Sequence, residues 1–500
     1  MRKLSFVSRT SLLLAGFFFI DKVLAFGRSL VIARRFSLSA ELDAFNVANN
    51  LPDLLFALIS GGAFAMAFIP VLTEHFTQKG REDAWALFSR IANLAFVATA
   101  SLAVVIALFA DRIVRSQIGI APGFGPEQQE LVTQLMRFNL VATIIFSISG
   151  LVMAGLQANQ HFLLPAMAPI MYNLGQIFGV FVLVPIFGVY GLVYGVIIGA
   201  LLHLGIQIPG LFKFKFHWTP DLTIKDEGVR EVLRVVGPRL LTMFFIQLTF
   251  IARDNFASRL EQVGAISALT YGWMIMQVPE TLIGTAIATA LLPTLSQLFT
   301  RKEATIFRDT VERAVRVVIA LTIPVAALLI VGLPSLISFA FGFDQGDTEM
   351  LTRTAQVYML VLTGYALQEI LARSFYSRLE AVVPLRGVII RFIVYLAIGA
   401  SVVAFFPQWG AAGIALAELS LTVEAVFMLF WLNRRVEPPV KAWGAVVRGA
   451  TAALIGGAAA YGLLMWLPMP GVMAALVAMS IGLLAGIPFI FPYLRLMLRL

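Results

Sequence analysis

The chain has 500 residues, of which 59% are hydrophobic and only 13% are charged, and its mean hydropathy is +0.89. Soluble domains carry about 25% charged residues, so this composition predicts an integral membrane protein through most of its length. The formal net charge of +9 lies mainly in polar breaks, where it indicates topology and not a nucleic-acid partner. The sequence has no cysteine and four scattered histidines, so we expect no thiol chemistry, metal site or cofactor.

Apolar runs of about 20 residues, the length that crosses about 30 Å of hydrocarbon, recur along the chain. We place about fourteen helices near residues 10–33, 42–70, 84–110, 131–156, 162–185, 188–210, 232–258, 264–297, 308–332, 348–375, 382–405, 410–433, 443–466 and 471–495. With a cytoplasmic N-terminus, Lys and Arg in the breaks number about 18 inside and about 5 outside. This asymmetry favours that orientation and predicts that both termini are cytoplasmic.

The first segment carries charges at membrane depth. Asp21, Lys22 and Arg28 lie inside it, and a charge at the bilayer centre costs about 2.5–3.5 kcal/mol on the insertion scale. Asp21 and Arg28 are one heptad apart and share a helix face, with Lys22 beside it. We predict that Lys22 and Arg28 bind an anionic substrate and that Asp21 serves coupling or gating. The alternative is that Arg28 only pairs with Asp21.

A second polar stripe follows in the next segment. Asp43, Asn46, Asn50 and Asp53 fall on one face of a continuous helix. Two such stripes on adjacent helices predict a hydrated cavity between them. We expect Asn46 and Asn50 to contact substrate there and Asp43 to serve coupling or gating, the alternative being a structural partner for Arg34 or Arg35.

The same segment should bend. Pro52 removes a backbone hydrogen bond and Gly61-Gly62 lies further along. We predict a gating role for Pro52, Gly61 and Gly62, although prolines in membrane helices are often merely tolerated.

The chain repeats itself at an offset of about 220 residues. The glycine-rich stretch at 61–70 is echoed at 283–293, and the stretch at 157–161 is echoed at 376–380. Copies with an even number of helices enter the membrane in the same direction, which implies two lobes related by an axis along the membrane normal.

We therefore predict an all-α integral membrane protein with two pseudo-symmetric six-helix lobes and a C-terminal helix pair. The N-terminal lobe covers 1–231, the C-terminal lobe 232–435 and the additional pair 436–500.

Charges also occur in the predicted second lobe. Arg253 is a candidate substrate contact, unless the adjacent Asp254 neutralises it. Glu280 is a candidate coupling carboxylate, with an ion pair to Arg253 as the alternative. We expect the charges on the tenth and eleventh segments, among them Arg373 and Arg391, to pair across helices.

Several motifs together resemble one family. They are Leu42-Asp43-Ala44-Phe45, Asn50-Leu51-Pro52-Asp53-Leu54-Leu55, Gly61-Gly62-Ala63-Phe64, Ala67-Phe68-Ile69-Pro70-Val71-Leu72, Leu291-Leu292-Pro293-Thr294-Leu295-Ser296 and Phe375-Tyr376-Ser377-Arg378. They resemble the MurJ (MviN) family, the lipid II flippase branch of the multidrug/oligosaccharidyl-lipid/polysaccharide exporter superfamily.

The resemblance implies a V-shaped, two-lobed carrier in the plasma membrane of a bacterium. Such a carrier turns a polyprenyl-pyrophosphate-linked peptidoglycan precursor from the cytoplasmic to the outer leaflet. Its other partners are membrane lipids, and coupling of transport to a monovalent ion is left open. The family's cavity arginines fall here on Lys22 and Arg28 of the first helix, on Phe56 of the second and on Trp273 of the eighth. Two positive charges of the family pattern are thus missing.

Other functions remain open at this stage. An exporter of another polyprenyl-linked oligosaccharide or of a small cationic compound would keep the fold. A non-transporting scaffold would keep the fold without the activity. A membrane-embedded glycosyltransferase would need an outer loop with a catalytic acid, and none of the loops is convincing, so we expect no enzyme activity.

Overall fold

The structure is a computed structural model that describes residues 6–59, 62–469 and 471–497. Every regular segment in these residues is helical. Ten helical segments are long and apolar enough to cross a membrane. The predicted all-α membrane fold is therefore confirmed. The four further spans, near 10–33, 42–70, 232–258 and 348–375, stay predictions.

The helices follow one another with short connections. The first eleven are α1 Phe6–Phe36, α2 Ala40–Ala48, α3 Asn50–Ile59, α4 Gly62–Gln78, α5 Arg81–Arg115, α6 Pro126–Ala158, α7 Leu163–Phe178, α8 Val184–Phe187, α9 Tyr190–Gly205, α10 Ile208–Lys213 and α11 Glu227–Ser258. The other nine are α12 Ala265–Glu280, α13 Ala286–Thr300, α14 Ala304–Phe341, α15 Gln345–Tyr376, α16 Val382–Phe405, α17 Gly410–Ala415, α18 Ser420–Asn433, α19 Trp443–Trp466 and α20 Gly471–Met497. Two π-helical turns, Gly179–Leu183 and Thr281–Thr285, and two 3₁₀ turns, Pro407–Trp409 and Leu416–Leu419, interrupt the series.

The chain forms two compact units, the first ending at Asn255 and the second beginning at Phe256. In the first unit α6 packs against α2, α3, α4, α5 and α9, and α7 packs against α1 and α9. Glycines let α7 and α9 approach closely, since a Cβ on Gly175 would lie 2.4 Å from Gly199 Cα. The three sequence-defined domains at 1–231, 232–435 and 436–500 stay predictions.

The second unit is organised around α15, which packs against α12, α13, α14 and α18. The last two helices pack against each other and against α14. Their contact also depends on small residues, because a Cβ on Gly456 would lie 2.6 Å from Gly482 O. Close backbone approach of this kind stabilises helix pairs in lipid, where the hydrophobic effect between helices is weak.

Two turns of the first unit recur in the second. Gly80, after α4, has φ +92°, and Lys302, after α13, has φ +59°. Gln160, after α6, has φ +56°, and Leu379, after α15, has φ +60°. Left-handed residues at both pairs of positions support the internal repeat inferred from the sequence, because non-glycine residues rarely adopt this conformation.

The second segment is interrupted close to the predicted bend. Asn49 separates α2 from α3, and Pro52 lies in the first turn of α3. Pro52 has no N–H to donate to Ala48 O, so the ladder is broken where α2 ends. The prediction of one continuous helix over 42–70 is therefore wrong, and Asp43 and Asn46 belong to a different helix from Asn50. Gly61, one of the predicted gating residues, lies outside the described residues.

Candidate functional site

Asp21 and Arg28 on α1 meet at one side chain of α7. Arg28 Nη1 donates to Asn173 Oδ1 at 2.9 Å, and Asn173 Nδ2 donates to Asp21 Oδ1 at 2.8 Å. Asn173 is 3% exposed and also donates to Pro169 O at 3.2 Å, so its position is fixed. A neutral amide thus connects the acid and the cation within the described part of the chain, where the sequence allowed a direct ion pair.

The two cations of α1 retain donors for a further partner. Arg28 is half-buried, its guanidinium lies 6.0 Å from the centroid of the Tyr172 ring, and its Nε has no hydrogen-bond partner among the described residues. Lys22 is exposed. An anion that approaches this face of α1 would therefore meet one guanidinium and one ammonium that no carboxylate already neutralises.

The polar residues of the second segment are anchored elsewhere. Asn50 Nδ2 donates to Asp254 Oδ2 at 2.9 Å, and Arg253 Nε donates to Asp254 Oδ1 at 2.7 Å. Asp43 is 2% exposed and Asn46 is half-buried on α2. The first and second polar stripes thus attach to α7 and α11 respectively, and the roles of Asp43, Asn46, Asn50 and Arg253 stay predictions.

Aromatic packing replaces the two arginines missing from the family pattern. The Phe56 ring lies 5.4 Å from the Phe146 ring in an edge-on contact. The Trp273 ring lies 5.7 Å from Tyr358 and 5.4 Å from Tyr365. Each substitution is thereby accommodated inside its own unit, so the fold tolerates the loss of both positive charges.

Glu280 stands at the junction of α12 and a π-helical turn. Its two carboxylate oxygens lie 3.1 Å from Thr285 Oγ1, and the residue is 1% exposed. A Cβ on Gly284 would come within 2.5 Å of Glu280 Oε1, so the glycine leaves room for the carboxylate. π turns occur frequently at functional sites, which supports the predicted coupling role without testing it.

Two arginines of the tenth and eleventh segments pair with carboxylates. Arg391 Nη2 lies 3.1 Å from Glu418 Oε2, with side chains 6% and 1% exposed. Arg373 pairs with Glu369 one turn away on the same helix. The expectation of cross-helix pairing is therefore confirmed for Arg391 and wrong for Arg373, because residues four apart on a helix are direct neighbours.

Sequence reasoning missed two amide residues of the first unit. Asn173 bridges Asp21 and Arg28, and Asn49 Oδ1 accepts a hydrogen bond from Asn139 Nδ2 at 2.9 Å. Asn173 lies in a largely apolar stretch and Asn49 lies beside Asn50; an amide in such a segment is a signal for a buried hydrogen bond in lipid but does not name its partner. Among the described residues no cluster of His, Asp or Glu could hold a metal ion.

These features define a multi-pass helical membrane protein with two cations available on its first helix. The fold agrees with a solved lipid II flippase MurJ in an inward closed conformation, at a TM-score of 0.82 and 21% identity over 97% of this chain and 100% of that chain. An inward-facing multidrug resistance MATE family transporter of the MOP superfamily matches at a TM-score of 0.69 and 15% identity, over 83% of this chain and 94% of its own.

The sequence comparisons are more specific. The family model "Lipid II flippase MurJ" matches residues 32–481. A lipid II flippase MurJ of Burkholderia cenocepacia is 30% identical over 87% of this chain and 86% of its own, and a probable one of Vibrio cholerae is 27% identical over 82% and 79%. The chain belongs to the lipid II flippase MurJ family. It is a multi-pass membrane transporter and not an enzyme, as the sequence predicted.

Proposed function

We propose that the chain turns lipid II across the membrane by alternating access and that Arg28 and Lys22 bind the pyrophosphate of its headgroup. The observation that carries this assignment is the amide bridge: Asn173 holds Arg28 in place without neutralising it. A guanidinium with free donors suits a diphosphate because it can present two parallel N–H groups to phosphate oxygens. Lys22 adds a point charge beside it.

The other predicted residues take supporting roles in this proposal. Asn46 is half-buried on α2 and can donate to the neutral part of the headgroup. Glu280 is the carboxylate that a coupling monovalent ion or proton would use, since it is enclosed and held by one hydroxyl. The polyprenyl tail stays in lipid. Both termini are cytoplasmic, in keeping with the distribution of Lys and Arg in the breaks.

The test is transport of labelled lipid II by the purified full chain in proteoliposomes, together with rescue of a strain depleted of its own lipid II flippase. Arg28→Gln removes the guanidinium but keeps a side chain that can bond to Asn173. Hydrogen bonds to charged groups contribute about 1.5–3 kcal/mol, so we expect transport to fall about 10- to 100-fold. Lys22→Gln should have a smaller effect, because Lys22 supplies a single point charge.

Arg35→Gln is the matched control. Arg35 is an exposed residue on the same face of α1, one heptad beyond Arg28 and at the end of the helix. Its replacement should leave transport near the level of the unmodified chain. Equal losses from Arg28→Gln and Arg35→Gln would contradict a localised pyrophosphate site. Failure of the well-expressed, unmodified chain in both assays would contradict lipid II as the cargo.

A further inference from the structure

A cavity of about 680 Å³ lies at one end of the second unit, away from Glu280 and the buried ion pairs. Its walls come from the turn between α13 and α14, the turn between α15 and α16, and the segment that follows α18. Thr300 and Ala304, which flank the first turn, each end a helix able to cross the membrane, as do Val382 and Asn433. The cavity therefore lies where several of these helices end.

The cavity is basic. Lys302, Arg378 and Arg435 line it, and Glu380 is the carboxylate that pairs with both arginines. Arg378 Nε lies 3.1 Å from Glu380 Oε1, and Arg435 pairs with the other oxygen of the same carboxylate. Two guanidiniums thus share one carboxylate and Lys302 adds a third positive charge. These three cations and the Glu380 carboxylate together carry a net positive charge.

Aromatic rings and burial hold Arg378 in this place. Its guanidinium lies 5.5 Å from the Phe299 ring centroid and 5.8 Å from that of Phe307, and its side chain is 16% exposed. Burial lowers the pKa of Arg378, because removal of water from the guanidinium disfavours its charged form and the neighbouring groups do not fully compensate for the lost hydration. An additional anion would compensate this loss.

The corresponding place in the first unit is filled. There the segment after α10 inserts Phe214, whose ring lies 5.6 Å from His161, and Phe216, whose ring lies 5.1 Å from Trp85. Trp85 Nε1 also donates to Phe214 O at 3.2 Å. The segment after α18 has Arg435 and Val436 at this point. The two units therefore share the arrangement of turns around this place. In the first unit Phe214 and Phe216 fill it, whereas in the second unit Arg435 and Val436 line a cavity.

Backbone strain at Lys302 sets the cavity apart as well, whereas Leu379 has a left-handed counterpart, Gln160, in the first unit. Lys302 and Leu379 both have left-handed φ values, +59° and +60°, and both line the cavity. The first unit has an unstrained glycine, Gly80, where the second has Lys302. A non-glycine residue in this conformation costs about 1 kcal/mol or more, and such strain is concentrated at functional sites. The strain at Lys302 places an ammonium in the cavity.

We propose that this cavity binds the phosphate headgroup of an anionic phospholipid, separately from transported cargo. Its volume is within the range of small-ligand pockets, about 300–1,000 Å³. Its rim carries exposed apolar side chains, since Leu379 is 90% exposed and Phe299 and Tyr376 are each 40% exposed. Basic pockets at the ends of membrane helices recognise lipid headgroups in this way. A soluble phosphate compound would gain nothing from the exposed apolar rim.

The experiment measures thermal unfolding of the detergent-purified full chain during titration with short-chain phosphatidylglycerol, short-chain phosphatidylcholine or glycerol 3-phosphate. We expect phosphatidylglycerol to raise the unfolding temperature well above the effect of the other two. Arg435→Gln should weaken its apparent affinity about tenfold, because one charge-assisted contact is lost while Arg378 still pairs with Glu380. Arg434→Gln is the matched control, since Arg434 stacks on Phe430 and does not line the cavity.

A second variant separates binding from folding. Lys302→Gly relieves the left-handed strain, so it should raise the unfolding temperature without lipid and lower the increase that phosphatidylglycerol produces. The proposal is overturned by equal shifts for Arg435→Gln and Arg434→Gln, or by an undiminished lipid effect in Lys302→Gly. Equal stabilisation by glycerol 3-phosphate overturns the assignment to a lipid. Lipid II is absent from this assay, so its outcome is independent of the transport proposal.

Discussion

The charges of α1 and those of α16 are neutralised in different ways. Asp21 and Arg28 share the neutral amide of Asn173, and among the described residues Arg28 makes no direct ion pair with a carboxylate. Arg391 on α16 instead meets Glu418 directly, and both side chains are almost fully buried. A cation that already pairs with a buried carboxylate binds a second anion only weakly. The difference indicates that α1, and not α16, is arranged to receive a negatively charged headgroup.

The same contrast holds inside the first unit. Arg253 on α11 donates to the adjacent Asp254, whose side chain is fully buried, and Asn50 occupies the other carboxylate oxygen. This arrangement resembles that of Arg391 more than that of Arg28. The distinction therefore follows individual helices, with α1 carrying available cations and α11 and α16 carrying compensated ones.

The largest effect should come from breaking the compensated pair on α16. Arg391→Met leaves Glu418 buried without its cation, and loss of one partner of a buried ion pair costs about 3–5 kcal/mol. We expect a large fall in the thermal unfolding temperature of the purified chain. The double variant Arg391→Met with Glu418→Met should recover most of it, because no isolated charge remains. A double variant as unstable as the single one would show that the pair is not the cause.

The amide bridge on α1 is tested by Asn173→Leu. Without the amide, Arg28 and Asp21 are free to pair directly, and α1 would then resemble α16. We expect lipid II transport in proteoliposomes to fall about tenfold, the equivalent of one hydrogen bond to a charged group. Adding Asp21→Asn removes the competing carboxylate and should restore part of the activity. An unchanged rate in Asn173→Leu would contradict the importance of the bridge.

The sequence was sufficient for ten of the predicted membrane spans and for the shared face of Asp21 and Arg28, for a physical reason. Span length follows from the thickness of the hydrocarbon layer, and a helix places Asp21 and Arg28 on one face whatever surrounds it. The repeat was also visible in the sequence, because the stretches at 61–70 and 157–161 are echoed at 283–293 and 376–380.

The partners of the polar residues could not be predicted in this way. Asn173 is a single amide in an apolar run, and only the packing of α7 on α1 brings it to Asp21 and Arg28. The second stripe was misassigned to one continuous helix, because Pro52 deprives Ala48 O of its donor and the helix restarts after Asn49. Periodicity describes each helix by itself and carries no information about its neighbour.

A smaller effect is expected from Arg28→Lys. Lysine keeps a positive charge and can still donate to Asn173, but it cannot offer two parallel N–H groups to a diphosphate. We expect transport to fall about threefold to tenfold, between the unmodified chain and Arg28→Gln, with the loss mainly in the apparent affinity for lipid II. A lysine variant as inactive as the glutamine variant would mean that geometry and not charge dominates at this position.

The smallest effect concerns two corresponding segments, residues 214–226 after α10 in the first unit and residues 434–442 after α18 in the second. In the first unit Arg90 holds the segment after α10 through side chains, with Nε 2.6 Å from Asp221 Oδ2 and Nη1 2.8 Å from Asp226 Oδ2. In the second unit Arg308 holds the segment after α18 by backbone, donating to Pro438 O at 2.8 Å and to Pro439 O at 2.9 Å. Ion pairs at the surface are screened by salt, whereas bonds to carbonyl oxygens are screened less.

Raising the salt concentration should therefore loosen the first segment more than the second. We expect tryptic cleavage at Lys225 to accelerate about threefold in high salt or in Arg90→Gln, with the unfolding temperature nearly unchanged, as is usual for exposed pairs.

The Thr223 hydroxyl and then Arg90 lower the pKa of Asp221 to about 2. The carboxylate's contribution is present above its ordinary pKa and is lost only as the pH falls towards 2, so cleavage at Lys225 relative to cleavage at Lys441 should not change between pH 6 and pH 8. If salt accelerated tryptic cleavage at Lys225 and at Lys441 equally, the proposed difference between the two segments would be wrong.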